Sequence, residues 1–293
     1  MTTGFYYAIV TAIAFALSQV IIRRVTYRSG ESFSALAVTV LAGAPLLPIL
    51  ITVTGQWRAF LSFSPVQYLL LASAGLVHLI LARFLFFTAT RVIGANPSVA
   101  ISRVSIVFSV MLGVVFLGES VTPWLVFGAV VIMVGAVMTT VDFRNSSIHF
   151  SAGGLLLGLG VAIASSVSAA LIRPVMEVTD SVFAAAGVMY LSAFAGVVVL
   201  LAISSRLRKQ LAVQERRSQW LFVISAIILV AGHLSRFKAL EDTPVSIVQP
   251  LIATMVIFVL AFSWIINRKI DIFNWRVITG IILVLTGVVI LYI

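Results

Sequence analysis

Ten long apolar runs, separated by short polar breaks, follow one another along the chain. They lie near 4–22, 33–54, 67–89, 96–117, 123–141, 152–172, 182–204, 219–238, 244–266 and 274–292. Each is close to the ~20 residues that a helix needs to cross a hydrocarbon core of about 30 Å. Strands of a membrane barrel would instead alternate apolar and polar positions over ~10 residues, and these runs are apolar throughout. The pattern predicts an all-α, polytopic membrane protein of ten transmembrane helices. The longest break, about 205–218, contains Arg206, Arg208, Lys209, Glu215, Arg216 and Arg217. It reads as a solvated basic face or a short interfacial helix, with no catalytic part.

The runs repeat. Residues 12–23 read AIAFALSQVIIR and residues 162–173 read AIASSVSAALIR, so Ala12, Ser18, Ile22 and Arg23 recur 150 positions on as Ala162, Ser168, Ile172 and Arg173. The same offset carries Phe33, Ala35 and Val38 onto Phe183, Ala185 and Val188, and Ala89 onto Ala239. Gly128 and Gly135 echo Gly280 and Gly287 with a slip of two residues. The chain divides into two five-helix units, 1–146 and 147–293. Five is odd, so the second unit must enter the membrane from the opposite side. Inverted repeats of this kind place substrate sites near the midplane between the copies and alternate access by moving one copy against the other.

Composition agrees on the solvent: 61% of the 293 residues are hydrophobic and 10% are charged, with a mean hydropathy of +1.19. The net charge of +10 sits mostly in loops, which points to a membrane surface rather than nucleic acid. Loops after odd-numbered runs hold most of the arginines and lysines, so the positive-inside rule makes them cytoplasmic and turns both termini outward. The first run has no basic n-region and no small-residue cleavage site, and is expected to be retained. The chain has no cysteine, hence no disulfide, thiolate metal site or cysteine nucleophile. His78, His149 and His233 are scattered and no His-Glu-x-x-His occurs. Neither metal nor cofactor is expected.

Polar residues inside the runs carry the candidate chemistry. Arg83 and Arg103 flank a turn near 90–96 at matching depth, where a charge costs roughly 2.5–3.5 kcal/mol on insertion scales. Each either snorkels to the interface or helps hold a carboxylate or phosphate. Ser98, Ser102, Ser105 and Ser109 form one stripe on a continuous helix, which lines a cavity or packs against a neighbour, and Arg103 points away from it. Ser18 and Gln19 in the first run, Ser168 in the sixth and Gln249 in the ninth are further candidate contacts. Pro250 loosens the helix beside Gln249. His78 and His233 either couple to protons or bond a backbone carbonyl, and the 150 offset carries Arg83 onto His233. Glu119 closes the fourth run in a structural position, where it pairs with a neighbouring helix or loop.

Ser102–Glu119, reading SRVSIVFSVMLGVVFLGE, and Trp124–Val137, reading WLVFGAVVIMVGAV, resemble the drug/metabolite transporter superfamily in its EamA-type ten-helix form. Ala239-Leu240 ahead of Thr243 and Pro244 is similar to the same junction in the second copy. Two departures are visible. The second copy reads Ile266-Asn267-Arg268-Lys269 where the first has Phe-Leu-Gly-Glu, and the family's frequent proline in the fourth helix is replaced near Ile106. The resemblance implies that helices one, three, four, six, eight and nine line the central cavity. It makes two and seven gates, and five and ten scaffold.

The expected function is a secondary carrier, not an enzyme. It would export a small polar metabolite, an amino acid or similar anionic or zwitterionic solute, across the cytoplasmic membrane by alternating access. No acid stands in the first helix, where small multidrug members of the superfamily exchange protons for cationic drugs. The expected partners are a small-molecule substrate and the lipid bilayer, as a monomer or homodimer. Two alternatives stay open: a carrier for phosphorylated solutes such as nucleotide-sugars, and a membrane scaffold or enzyme subunit without flux.

Overall fold

The computed structural model describes residues 3–29, 32–93, 95–140, 152–212, 216–266 and 275–291. Ten helices form the bundle: α1 (Thr3–Ser29), α2 (Ser32–Gly43, then Leu46–Val53), α3 (Pro65–Gly75, Leu76–Ala82 and Arg83–Ile93), α4 (Ala95–Ser102 and Ser105–Leu117), α5 (Pro123–Thr140), α6 (Ala152–Met176), α7 (Val182–Ile203), α8 (Arg216–Asp242), α9 (Val245–Ala253 and Met255–Ile266) and α10 (Trp275–Ile290). Short helices Trp57–Ser62 and Ser205–Ala212 precede α3 and α8. No strand occurs among the described residues. Eight of the ten are apolar over 18 residues or more, and α5 and α10 supply the shorter apolar helices Pro123–Thr139 and Ile278–Ile290. Val115, Phe116, Leu156 and Val289 are each at least 64% exposed. Lipid tails are as apolar as these side chains, so leaving them outward has no cost in a membrane.

Helix directions follow from which residues touch. α5 and α10, equivalent members of the two copies, meet through their glycines, Gly128 against Gly287 and Gly135 against Gly280. Position rises along one helix as it falls along the other, so they run antiparallel, as inverted copies must. The 150 offset appears again in α1–α8 and α6–α3. Ser18 Oγ lies 2.6 Å from Ser225 Oγ, and Ser168 Oγ donates to the Ala74 carbonyl at 3.3 Å. Adding 150 to Ser18 and Ala74 gives Ser168 and Ile224, the neighbour of Ser225. One helix contact is thus made twice, once in each sense of threading. The loops after odd-numbered helices mark one end of the bundle, hereafter the odd end, and the loops after even-numbered helices the other.

α4 and α9 break at the same place. Val104 N donates to Ile101 O and Val107 N to Val104 O, both at 3.0 Å, while 150 residues on Thr254 N donates to Leu251 O at 3.1 Å and Ile257 N to Thr254 O at 3.0 Å. These three-residue steps tighten the helix locally. Pro250 lies inside the first segment of α9, a turn before the break, and at the break itself Thr254 Oγ1 also donates to the Leu251 carbonyl at 2.7 Å. α4 breaks without a proline, with Ile106 buried just beyond. The continuous helix assumed for the serine stripe is therefore corrected. Ser98 and Ser102 belong to one segment and Ser105 and Ser109 to the next, because the break changes the rotation between them. Arg173, expected in the loop after the sixth run, lies inside α6 and is 9% exposed.

Candidate functional site

α3 changes its winding where it passes the middle of the bundle. Leu76–Ala82 is π-helical, a feature found in short pieces and frequently at functional sites. His78 lies within it and Arg83 directly after it. Gly75, just before, has the Met189 backbone and the Ser192 side chain where a Cβ would stand, so α3 approaches α7 closely at this level. The Ser192 hydroxyl ties the two helices further by donating to the Ala72 carbonyl at 3.0 Å.

The side chains brought together here come from both copies. Arg83 Nη1 donates to Thr39 Oγ1 at 2.7 Å, and Tyr190 Oη lies 2.8 Å from His233 Nδ1. The 150 offset carries Arg83 onto His233 and Thr39 onto Met189, the neighbour of Tyr190. The two bonds are thus one contact between the second and third helices of each copy, filled with different chemistry. His233 packs edge-on against His78 at 5.4 Å and against Phe15 at 4.9 Å between ring centroids, and the Leu229 carbonyl also acts on its ring. Arg236, one turn beyond His233 on α8, is 1% exposed and spends only Nη2, on the Ser165 carbonyl at 3.4 Å. Arg83 and Arg236 both act electrostatically on both imidazoles.

Arg83 stands ten residues from the end of α3 and His233 nine from the end of α8, and those ends lie on opposite sides of the bundle. At 1.5 Å per residue each is ~14 Å from its own end, so the pair brackets mid-depth. Four nitrogens in the cluster are buried without a hydrogen-bond partner: His78 Nδ1, His233 Nε2, Arg236 Nε and Arg236 Nη1. The acids described are Glu119, Glu177, Asp180, Glu241 and Asp242, all at or beyond helix ends. Their ion pairs are with Arg173 and Lys238, not with the histidines or arginines of the cluster.

Of the expected substrate contacts, the structure brings together His78, Arg83 and His233. The other hydroxyls are engaged elsewhere: Ser18 with Ser225, Ser168 with Ala74, and Ser102 with the Val99 carbonyl of its own helix at 2.7 Å. Ser109 and Ser166 bond at 2.9 Å across α4 and α6, which is helix packing. Arg103 lies at the break in α4, where its Nε is buried without a partner, and makes none of the cluster's contacts. Gln19 in α1 and Gln249 in α9 are half-buried. Sequence reasoning missed Arg236 and Tyr190. A run ending at 238 puts Arg236 at its margin, but α8 extends to Asp242 and carries it a turn deeper. The signal available was the i, i+3 spacing of His233 and Arg236, which shares one helix face.

A second constellation joins the copies at the even end. Gly118 takes a left-handed φ of 65° after α4, a turn glycine makes readily, and folds Glu119 back over Gly113. The carboxylate then accepts from Val245 N at 2.7 Å and Ser246 N at 3.0 Å. Those are orphan donors at the start of α9, and the positive end of a helix dipole suits an acid there. Gln56 does the same for α7, its Oε1 accepting from Phe183 N at 3.1 Å and Ala184 N at 3.2 Å. Both caps reach from the first copy to the second. Arg173 donates to the Leu240 and Glu241 carbonyls at the end of α8 and pairs with Glu177 at 2.7 Å.

Comparison with known proteins finds the same duplication. The family model described as "EamA-like transporter family" matches residues 2–141 and again 152–293. A solved structure described only as "Crystal structure of protein" superposes with a TM-score of 0.80 at 17% identity, covering 99% of this chain and 95% of the other. At that identity the likeness shows a shared fold. No curated protein matches.

Proposed function

Because the chain belongs to the EamA-like transporter family, a family of drug/metabolite-type membrane transporters, we propose that it exports a small anionic or zwitterionic metabolite across the cytoplasmic membrane. The observation that carries this reading is the central cluster, where guanidiniums and imidazoles from both copies gather with no described carboxylate paired to them. An uncompensated buried cation is strongly unfavourable. A scaffold would bear that cost for nothing, whereas a carrier has it offset whenever an anionic substrate enters. The test is flux of radiolabelled amino acids and of quaternary amines in proteoliposomes. Uptake of at least one amino acid, with the acidic ones included in the panel, is expected against protein-free controls, and transport of the cations alone would refute the reading.

Alternating access requires one end to part as the other closes. The caps by Glu119 and Gln56 tie the two copies together at the even end. Hydrogen bonds to a charged group contribute about 1.5–3 kcal/mol each, so releasing Glu119 shifts the balance toward opening there. Ser246 is fully buried beneath that cap, and the absence of native cysteine gives a clean background for a Ser246→Cys probe. Adding Glu119→Ala is expected to raise the labelling rate of that cysteine roughly tenfold, the effect of about 1.4 kcal/mol. An unchanged rate would remove Glu119 from the gate.

A further inference from the structure

We infer that the central cluster is built for a dianion, a solute with two negative charges such as a dicarboxylate or a phosphate monoester, one charge facing each copy of the repeat. This rests on the carrier reading above and names the substrate class of the same site. The argument begins with charge. Arg83 comes from the first copy and Arg236 from the second, and a guanidinium stays protonated in proteins. The described acids all lie away from them, so the cluster holds two fixed positive charges. A zwitterion leaves that sum unchanged and a monoanion halves it, whereas a dianion brings it to zero.

The unpartnered atoms point the same way. Buried polar groups are normally hydrogen-bonded, and exceptions concentrate where a ligand or ion belongs. Arg236 is buried with Nε and Nη1 unpartnered, and His233 Nε2 and His78 Nδ1 are unpartnered beside it. Tyr190 Oη lies 2.8 Å from Nδ1 of His233, so the ring's remaining nitrogen, Nε2, is the one left without a partner. Arg83 has one amino group committed, to Thr39, and the rest of its planar fork remains for an oxyanion. An acid group held by Arg83 and another held by Arg236 and the imidazoles would tie the copies together through the solute. Phosphorylated solutes need basic side chains from both copies, and Arg236 supplies one from the second.

The experiment measures binding and flux separately. Purified protein is challenged at mildly alkaline pH, where a phosphate monoester carries close to two charges, with succinate, glycerol 3-phosphate, butyrate and alanine. Binding is read as a rise in melting temperature and flux in proteoliposomes. Succinate, glycerol 3-phosphate or both are expected to stabilise the protein and to be transported well above butyrate and alanine. Whichever of the two acts identifies a dicarboxylate or a phosphate-ester substrate. Arg236→Gln is expected to weaken dianion binding at least about 30-fold, equivalent to about 2 kcal/mol. It should also raise the melting temperature of the ligand-free protein, because it removes an uncompensated buried charge. Arg236→Lys should retain part of the binding.

Butyrate or alanine matching the dianions overturns the inference. So does an Arg236→Gln protein that is less stable than the parent, since that is the behaviour of a structural guanidinium. Stabilisation by dianions without flux would leave this inference standing and end the carrier reading. Alanine flux with no response to dianions would do the reverse.

Discussion

Replacing Arg83 with alanine is expected to reduce transport about 100-fold while leaving a folded, monodisperse protein. Arg83 is half-buried next to the π-helical segment of α3 and makes one side-chain bond, to Thr39. Losing that neutral partner is a small structural loss, because Thr39 Oγ1 also donates to the Leu36 carbonyl at 3.0 Å. Losing the charge is a large functional one. Removing one partner of a desolvated, hydrogen-bonded charge pair costs 2–5 kcal/mol or more, and about 2.7 kcal/mol is a factor of 100. Arg83→Lys restores a point charge without the fork and should fall between the two. The measurement is initial flux per folded carrier, with gel filtration and circular dichroism as controls. Transport by Arg83→Ala at the parent's rate would return this arginine to a purely structural role.

Gly135→Leu is expected to wedge α5 and α10 apart and destabilise the junction of the two copies. A Cβ at Gly135 would lie 2.7 Å from the Gly280 carbonyl oxygen and 2.8 Å from Val284 N. Both are backbone atoms, and backbone cannot rotate aside as a side-chain tip can. α5 and α10 would have to separate along their length, undoing the matching approach of Gly128 and Gly287 two turns away. Without a hydrophobic force between helices in lipid, association depends on such close packing. Overpacking a filled contact costs typically 1–3 kcal/mol, occasionally more, and a leucine against two backbones belongs at the upper end. The expected result is a low yield of monodisperse protein and a melting temperature well below the parent's. Gly153→Leu is the control, because nothing lies within 4 Å of a Cβ there. A Gly135→Leu protein as stable as that control would mean the helices are not in this contact.

Much of this was legible in the chain itself. The ten runs, their duplication at an offset of 150 and the resulting inversion depend on composition and counting. His78, Arg83 and His233 were visible because a polar residue inside an apolar run stands out wherever the run goes. Tyr190 did not stand out, since an aromatic in an apolar helix is usually packing or a lipid contact. Ser18 and Ser168 illustrate the opposite case. Their polarity stood out in the sequence, but the interhelical bonds their hydroxyls make depend on the face that meets a neighbour.

The sequence alone determined the solvent, the number of crossings and the two-copy plan, because hydrophobic length and repetition are local properties that no packing can alter. Only the tertiary structure decided that Arg236 is buried with unpartnered nitrogens in the copy opposite Arg83. It also decided that α4 breaks without a proline and that Glu119 caps the start of α9. The first and the last relate residues more than a hundred positions apart. The physical reason is that rotation and depth of a helix in lipid are set by the helices beside it, so what a side chain faces is unknown until its neighbours are in place.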